Sequence, residues 1–266
     1  PTMSNDAMNS ALVPAEMAQK AEEIGIKKAN SSAFNLFSLG VLAGAFVAIG
    51  AFFSTTVSAG TSAVPYGIVR LLMGLAFSVG LVLVVVGGAE LFTGNTLIMM
   101  AWASKKVSTL QLLRNWTIVY LGNFAGSVAT AVIVFLSGQY TFGGGAVGRA
   151  VLTIATSKMH YGFVQAIFLG VLCNALVCLA VWLTYSARTT GDKILAIVFP
   201  ITAFVAAGFE HSVANMYFVP MGLFIRQFNP EFALKIATDA GLDLASLNWG
   251  TFLVNNLLPV TIGNII

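Results

Sequence analysis

Residues Gly208 to Met216 read GFEHSVANM and lie inside one long apolar run. ILAIVFPITAFVAA (194–207) precedes them and YFVPMGLFI (217–225) follows. A bare charge at the bilayer centre costs at least ~2.5–3.5 kcal/mol on insertion scales, so a glutamate beside a histidine here needs a structural or functional reason. The run from Ile194 through Ile225 has 32 residues, and 34 residues separate Arg70 from Lys105 in a second such run. A membrane span needs about 20 residues, so each run is too long for one straight helix and too short for two. Each contains the only carboxylate deep in its run, Glu210 in one and Glu90 in the other. The pattern predicts two broken helices: a helix stops, the chain turns within the membrane, and a half-helix continues.

The rest of the chain agrees with a membrane setting. Of 266 residues 58% are hydrophobic and only 9% are charged, against about 25% charged in soluble domains. The class is therefore an all-α integral membrane protein. A net charge of +3, dispersed along the chain, argues against a nucleic-acid partner. Six apolar stretches fall at about 34–56, 67–104, 112–137, 160–187, 194–225 and 252–266. The last is short, so a sixth span truncated in this chain is expected. Residues 1–33 form a polar N-terminal segment with Met3 as initiator, and VPAEMAQKAEEIGIKKA (13–29) reads as an amphipathic surface helix. RQFNPEFALKIATDAGLDLASLN (226–248) and GQYTFGGGAVGRAVLTIATSKMH (138–160) read as the two sizeable loops. With the N-terminus inside, eight basic residues lie on inner segments and five, Arg70, Arg149, Lys158, Arg226 and Lys235, on outer ones. That bias places both termini in the cytoplasm. Cys173 and Cys178 read as free buried thiols, and GVLAG (40–44) and GNFAG (122–126) carry the GxxxG spacing of close helix packing.

The two breaks align. GAELFTGN (88–95) and GFEHSVAN (208–215) both read G-x-E-x-x-x-x-N, 120 residues apart. The spans that follow share a second match, IVYLGN (118–123) and PVTIGN (259–264). The transmembrane domain, 34–266, then divides into two three-span repeats, about 34–137 and 160–266. Three is odd, so the second is inverted relative to the first, a known transporter and channel design.

A broken helix exposes N–H groups that attract anions, and Thr93 and Ser212 are placed to cap the two half-helices. Glu90, Asn95, Glu210 and Asn215 read as elbow scaffold, with the carboxylates accepting backbone N–H bonds. His211 reads as a pore-facing histidine or a satisfied buried one, and Asn174 as helix glue or pore lining. Phe77, Leu81, Leu91, Phe92 and Phe204 read as core, or in a pore as hydrophobic constrictions. No metal-ligand cluster, cofactor motif or Ser–His–Asp set is evident, so an intramembrane enzyme is the disfavoured rival. Water and glycerol channels would be expected to carry paired Asn-Pro-Ala turns, and ammonium channels paired pore histidines; neither is present here.

At VPAEMAQKAEEIGIKKA, GAELFTGNTLI (88–98), GNFAGS (122–127), CNALVCLAVW (173–182), GFEHSVANM and PVTIGNII (259–266), the sequence resembles the formate/nitrite transporter family, most closely its formate channels. The resemblance implies a six-span aquaporin-like protomer, a homopentamer with one pore per protomer, and passage of small monovalent anions such as formate across the bacterial inner membrane. It implies that His211 is the central pore histidine, with Thr93 and Asn174 as polar neighbours. It also implies that Leu91, Phe92, Phe77, Leu81 and Phe204 form the constrictions, and that Lys158 lies near the outer vestibule. Formate channels carry Ser and Thr in place of Gly94 and Asn95, and nitrite relatives have Gly there, so this loop leaves nitrite and hydrosulfide open as substrates.

Overall fold

The computed structural model describes residues 11–266; Met3 and the start of the segment 1–33 lie outside the described residues. Helix α1 (Pro14–Ala29) starts where the Glu16 carboxylate accepts the Val13 N–H at 3.0 Å, with proline in its first turn. It buries Met17, Ala21, Gly25 and Ala29, a stripe at four-residue spacing. Then come α2 (Ala33–Ser58), α3 (Tyr66–Gly87), a short α4 (Phe92–Asn95), a 3-10 turn (Thr96–Ile98), α5 (Met99–Ala103) and α6 (Thr109–Leu136). The remaining helices are α7 (Ala146–Ser157), α8 (Phe163–Ser186), α9 (Thr190–Ala207), α10 (Ser212–Phe228), α11 (Pro230–Ala240), α12 (Trp249–Thr251) and α13 (Leu258–Ile265). A π-helical stretch, Phe252–Leu257, joins the last two. Helices α2, α3, α6, α8 and α9 are long and apolar enough to cross a membrane.

Glycine sets the tightest crossings. A Cβ on Gly126 would lie 1.9 Å from the Val41 carbonyl oxygen, and one on Gly44 2.1 Å from that of Asn123. Helices α2 and α6 therefore meet backbone to backbone through the GxxxG faces. The pair α8 and α13 repeats this: a Cβ on Gly263 would lie 2.1 Å from the Ile167 carbonyl oxygen.

Both over-long runs are interrupted. α3 ends at Gly88 (φ 74°) and α9 at Gly208 (φ 80°), left-handed positions that suit glycine. The Ala89 N–H then reaches back to Val84 at 2.9 Å, and the Phe209 N–H to Phe204 at 3.0 Å. Beyond each turn the chain is tied to a neighbouring helix, because Glu90 N–H donates to the Leu39 carbonyl and Glu210 N–H to that of Leu169, both at 3.2 Å. Non-helical backbone at this depth thus keeps its hydrogen bonds inside protein.

Both loop expectations are corrected: the segment 226–248 contains α11, Pro230–Ala240, which buries Ala233, Ile236 and Ala237. The segment 138–160 contains α7, which buries Val147, Val151, Leu152 and Ala155 at helical spacing. The glycine run before it hides that stripe in a polarity reading. The stripe packs on α10 and α11, where Gly148 lies against the ring of Phe232.

Candidate pore site

Two short half-helices, α4 and α10, begin near one another, and His211 spans the gap. Its Nε2 lies 2.9 Å from the Thr93 hydroxyl, and its Nδ1 accepts the Ala214 N–H at 3.0 Å. A nitrogen that accepts a backbone N–H carries no proton, so the neutral ring holds its proton on Nε2 and donates it to Thr93. His211 also caps α10 with its own ring. The capping expectation is thereby corrected: Thr93 and Ser212 lie inside their half-helices, whose N-caps are Leu91 and His211, so Ser212 Oγ has no hydrogen-bond partner and the Thr93 hydroxyl meets the histidine ring.

The half-helix ends are also less open than the sequence suggests. The Phe92 N–H donates to Asn123 Oδ1 and the Ser212 N–H to Asn264 Oδ1, each at 2.9 Å. These asparagines come from the two matching GN pairs on α6 and α13. Each amide also donates to two carbonyls, Gly40 and Glu90 for Asn123, Gly170 and Glu210 for Asn264. One side chain thus ties each break to a neighbouring helix, α2 through Asn123 and α8 through Asn264.

The glutamates brace the breaks, but not through backbone N–H groups. Glu90 accepts Lys28 Nζ at 2.9 Å and Asn95 Nδ2 at 2.7 Å. Glu210 accepts Lys158 Nζ and Asn215 Nδ2, both at 2.7 Å. An ammonium offsets the carboxylate charge better than amides alone, at a depth where an unpaired charge is costly. Asn95 and Asn215 donate on to Asn115 and Asn256, whose own amides hold the Lys28 and Lys158 carbonyls at 3.0 Å. Lys28, Asn115 and Asn256 were missed as scaffold. The recurrence of N-x6-G-N at 115–123 and 256–264 would have revealed the asparagines.

Two cavities lie at the two breaks, and His211 lines the second. The first, about 220 Å³, is lined by α1, by Lys28, Glu90 and Asn95, and by Leu81 and Leu91. The second, about 100 Å³, is lined by Arg70, Lys158, Glu210, Asn215 and His211, and by Phe77 and Phe204. Phe77 and Phe204 meet edge to face at 5.6 Å, and Phe204 stacks on His211 at 5.9 Å. Leu81 and Leu91 thus line the first cavity, and Phe77 and Phe204 the second. Phe92 does not join them: it packs on Tyr120 at 4.9 Å and Trp116 at 6.3 Å and lines neither cavity. Asn174 Nδ2 donates to Thr96 Oγ1 at 3.0 Å and to the Asn264 carbonyl, so it ties the first break to α13, while its Oδ1 is buried without a partner. Cys173 and Cys178 are free thiols; Cys178 Sγ lies 3.3 Å from Thr96 Oγ1. Among the described residues no group of three His, Cys, Asp or Glu side chains is placed to hold a metal.

The formate channel FocA of Escherichia coli K12 is 44% identical over 256 residues, covering 96% of this chain and 90% of FocA. Formate channel FocA of Haemophilus influenzae is 42% identical over 257 residues, covering 96% of this chain and 90% of that protein. A solved structure of a pentameric formate channel with formate bound superposes with a TM-score of 0.81 at 46% identity, covering 88% of this chain and 91% of that one. An FNT family ion channel gives 0.77 at 29% identity, covering 94% and 93%. The family model described as formate/nitrite transporter matches residues 15–266, and with it the chain belongs to the formate/nitrite transporter family.

Proposed function

We propose that this chain is a channel for small monovalent anions, formate foremost, with one pore in each protomer of a homopentamer. The observation that carries this is the His211–Thr93 pair where the two half-helices begin, with a cavity at each break lined in part by apolar side chains. The protomer has six spans in an aquaporin-like arrangement, residues 1–33 forming the N-terminal segment and 34–266 the channel. The sixth span is built from α12 to α13. Two inverted repeats, about 34–137 and 160–266, are supported by the doubled network: Gly88, Glu90 and Asn95 find their counterparts at Gly208, Glu210 and Asn215. Both termini lie in the cytoplasm of a bacterium whose inner membrane holds the channel. The leucine constriction, beside Lys28 on α1, then faces inward, and the phenylalanine constriction, beside Lys158, outward.

An anion arriving from either cavity takes the Nε2–H of His211 that Thr93 otherwise accepts. That hydrogen bond replaces part of the hydration shed at the apolar constrictions. The Ala214 N–H occupies Nδ1, so the ring is arranged to donate a hydrogen bond rather than to surrender its proton. Asn174 steadies the Thr93 loop through Thr96 and presents its free Oδ1 nearby. The test is influx of labelled formate and of nitrite into proteoliposomes. Wild-type protein should admit formate faster than nitrite, and faster than protein-free liposomes do. His211→Asn, which keeps an N–H donor and a capping oxygen, should retain more influx than His211→Phe. Equal loss in both variants would refute the hydrogen-bonding role. Preference for nitrite would move the substrate assignment to the nitrite side of the family, which Gly94 in the first break already allows.

A further inference from the structure

The two cavities differ in charge. The charged residues lining the first are Lys28 and Glu90, which pair with each other. Those lining the second are Lys158, Glu210 and Arg70. Lys158 and Glu210 pair, which leaves Arg70 with no carboxylate partner among the described residues. Its guanidinium instead donates through Nε to the Ala206 carbonyl at 3.2 Å and through Nη2 to the Val205 carbonyl. These carbonyls belong to the last turn of α9, at the break itself, and that of Val205 also accepts the Gly208 N–H at 3.1 Å; a Cβ on Gly208 would lie 3.4 Å from Arg70 Nη2. Exposed carbonyls at a helix C-terminus carry partial negative charge and repel an anion. Arg70 covers them and adds a full positive charge that nothing in the cavity cancels.

We propose that Arg70 is an anion-recruiting residue, which makes the Lys158 cavity the electrostatically favoured mouth of the pore for formate. A guanidinium has five donors, and two bonds to carbonyls leave others for a passing carboxylate. The inference rests on the anion-channel reading above. It differs from a purely structural role for Arg70 in its dependence on salt, because attraction of a diffusing ion is screened and a helix cap much less so. Between ~0.01 M and ~1 M ionic strength the Debye length falls from about 30 Å to about 3 Å.

The experiment is influx of labelled formate at low, fixed concentration into proteoliposomes, with ionic strength set by an impermeant electrolyte. Wild-type influx should fall as ionic strength rises. Arg70→Gln should be slower roughly tenfold at low ionic strength, within the range of steering effects, and should approach wild type at high ionic strength. Arg70→Lys should recover most of the salt-dependent rate, because it restores the charge without the two-carbonyl geometry. Wild-type rates for Arg70→Gln at low ionic strength would overturn the inference. So would an equal loss at both ionic strengths that lysine does not rescue. No wild-type influx above protein-free liposomes would overturn the channel reading, and this inference with it.

Discussion

The two breaks are built on one frame and carry different groups. In each, a left-handed glycine ends a helix, a glutamate pairs with a lysine 52 or 62 residues away, and an asparagine on a later helix ties the break to a neighbouring helix. At the position after the glutamate the first break has Leu91 and the second has His211. The half-helices differ as well. The first runs as α4, a 3-10 turn and α5, whereas the second runs unbroken for 17 residues. The Lys158–Glu210 pair is also more deeply buried, at 11% and 3% side-chain exposure against 27% and 12% for Lys28–Glu90. The frame thus supplies a break twice, and the two copies diverge at His211, the proposed donor to the anion.

The depth of the second pair gives the largest expected effect. Removing one partner of a buried pair costs about 3–5 kcal/mol because the other charge is stranded. Glu210→Ala should therefore lower thermal stability in detergent strongly. Glu90→Ala should lower it less, because Lys28 is more exposed to water; equal losses would break the comparison. Next in size is the payload itself. Losing a hydrogen bond to a charged group, about 1.5–3 kcal/mol, corresponds to a ten- to hundredfold slower step. His211→Leu should slow formate influx by that order, while Leu91→Val, which keeps an apolar side chain, should change it far less. A comparable loss at both positions would deny His211 its special role.

The asparagine clamps test whether the frames are truly equivalent. Asn123→Ala and Asn264→Ala each leave a buried N–H and two carbonyls short of a partner, roughly 1–3 kcal/mol for such a group. The two variants should lose similar stability, and a large difference would show that one break leans on its clamp more heavily. The smallest effect belongs to α1, which covers the first cavity. The Lys106 ammonium and the Ser104 hydroxyl hold the Glu22 carboxyl below its ordinary range. A depressed carboxylate stabilises above its unfolded pKa, and that contribution fades as pH falls through the folded value. Hydrogen exchange of α1 amides should therefore rise modestly as pH is lowered through the carboxylate range, after correction for intrinsic rates. No change relative to Glu22→Gln would show that the contact does not anchor α1.

Much of the frame was legible because it repeats. G-x-E-x-x-x-x-N occurs twice, and each copy sits in a run of the wrong length for a span. The partners of the glutamates were not legible. Lys28 stands on a surface helix and Lys158 within a segment that reads as loop, and neither lies near its glutamate in sequence. Arg70 was visible only as one outer charge among five. The capping roles differ from the expectation because Thr93 and Ser212 have the right chemistry one or two residues too late: the caps fall on Leu91 and on His211, whose imidazole takes the α10 N-terminus. Phe92 has the composition of a constriction, but helix phase turns it toward Trp116 and Tyr120.

By itself the sequence determined a helical membrane protein with two breaks, because apolar length, charge scarcity and a repeated motif are one-dimensional quantities. Only the tertiary structure decided which lysine neutralises which glutamate, that His211 holds its proton toward Thr93, and that one cavity keeps an unpaired arginine. Those outcomes depend on which donors and acceptors meet across helices far apart in the chain. In a low-dielectric interior each such pairing sets the charge and the hydrogen-bond direction that an anion meets.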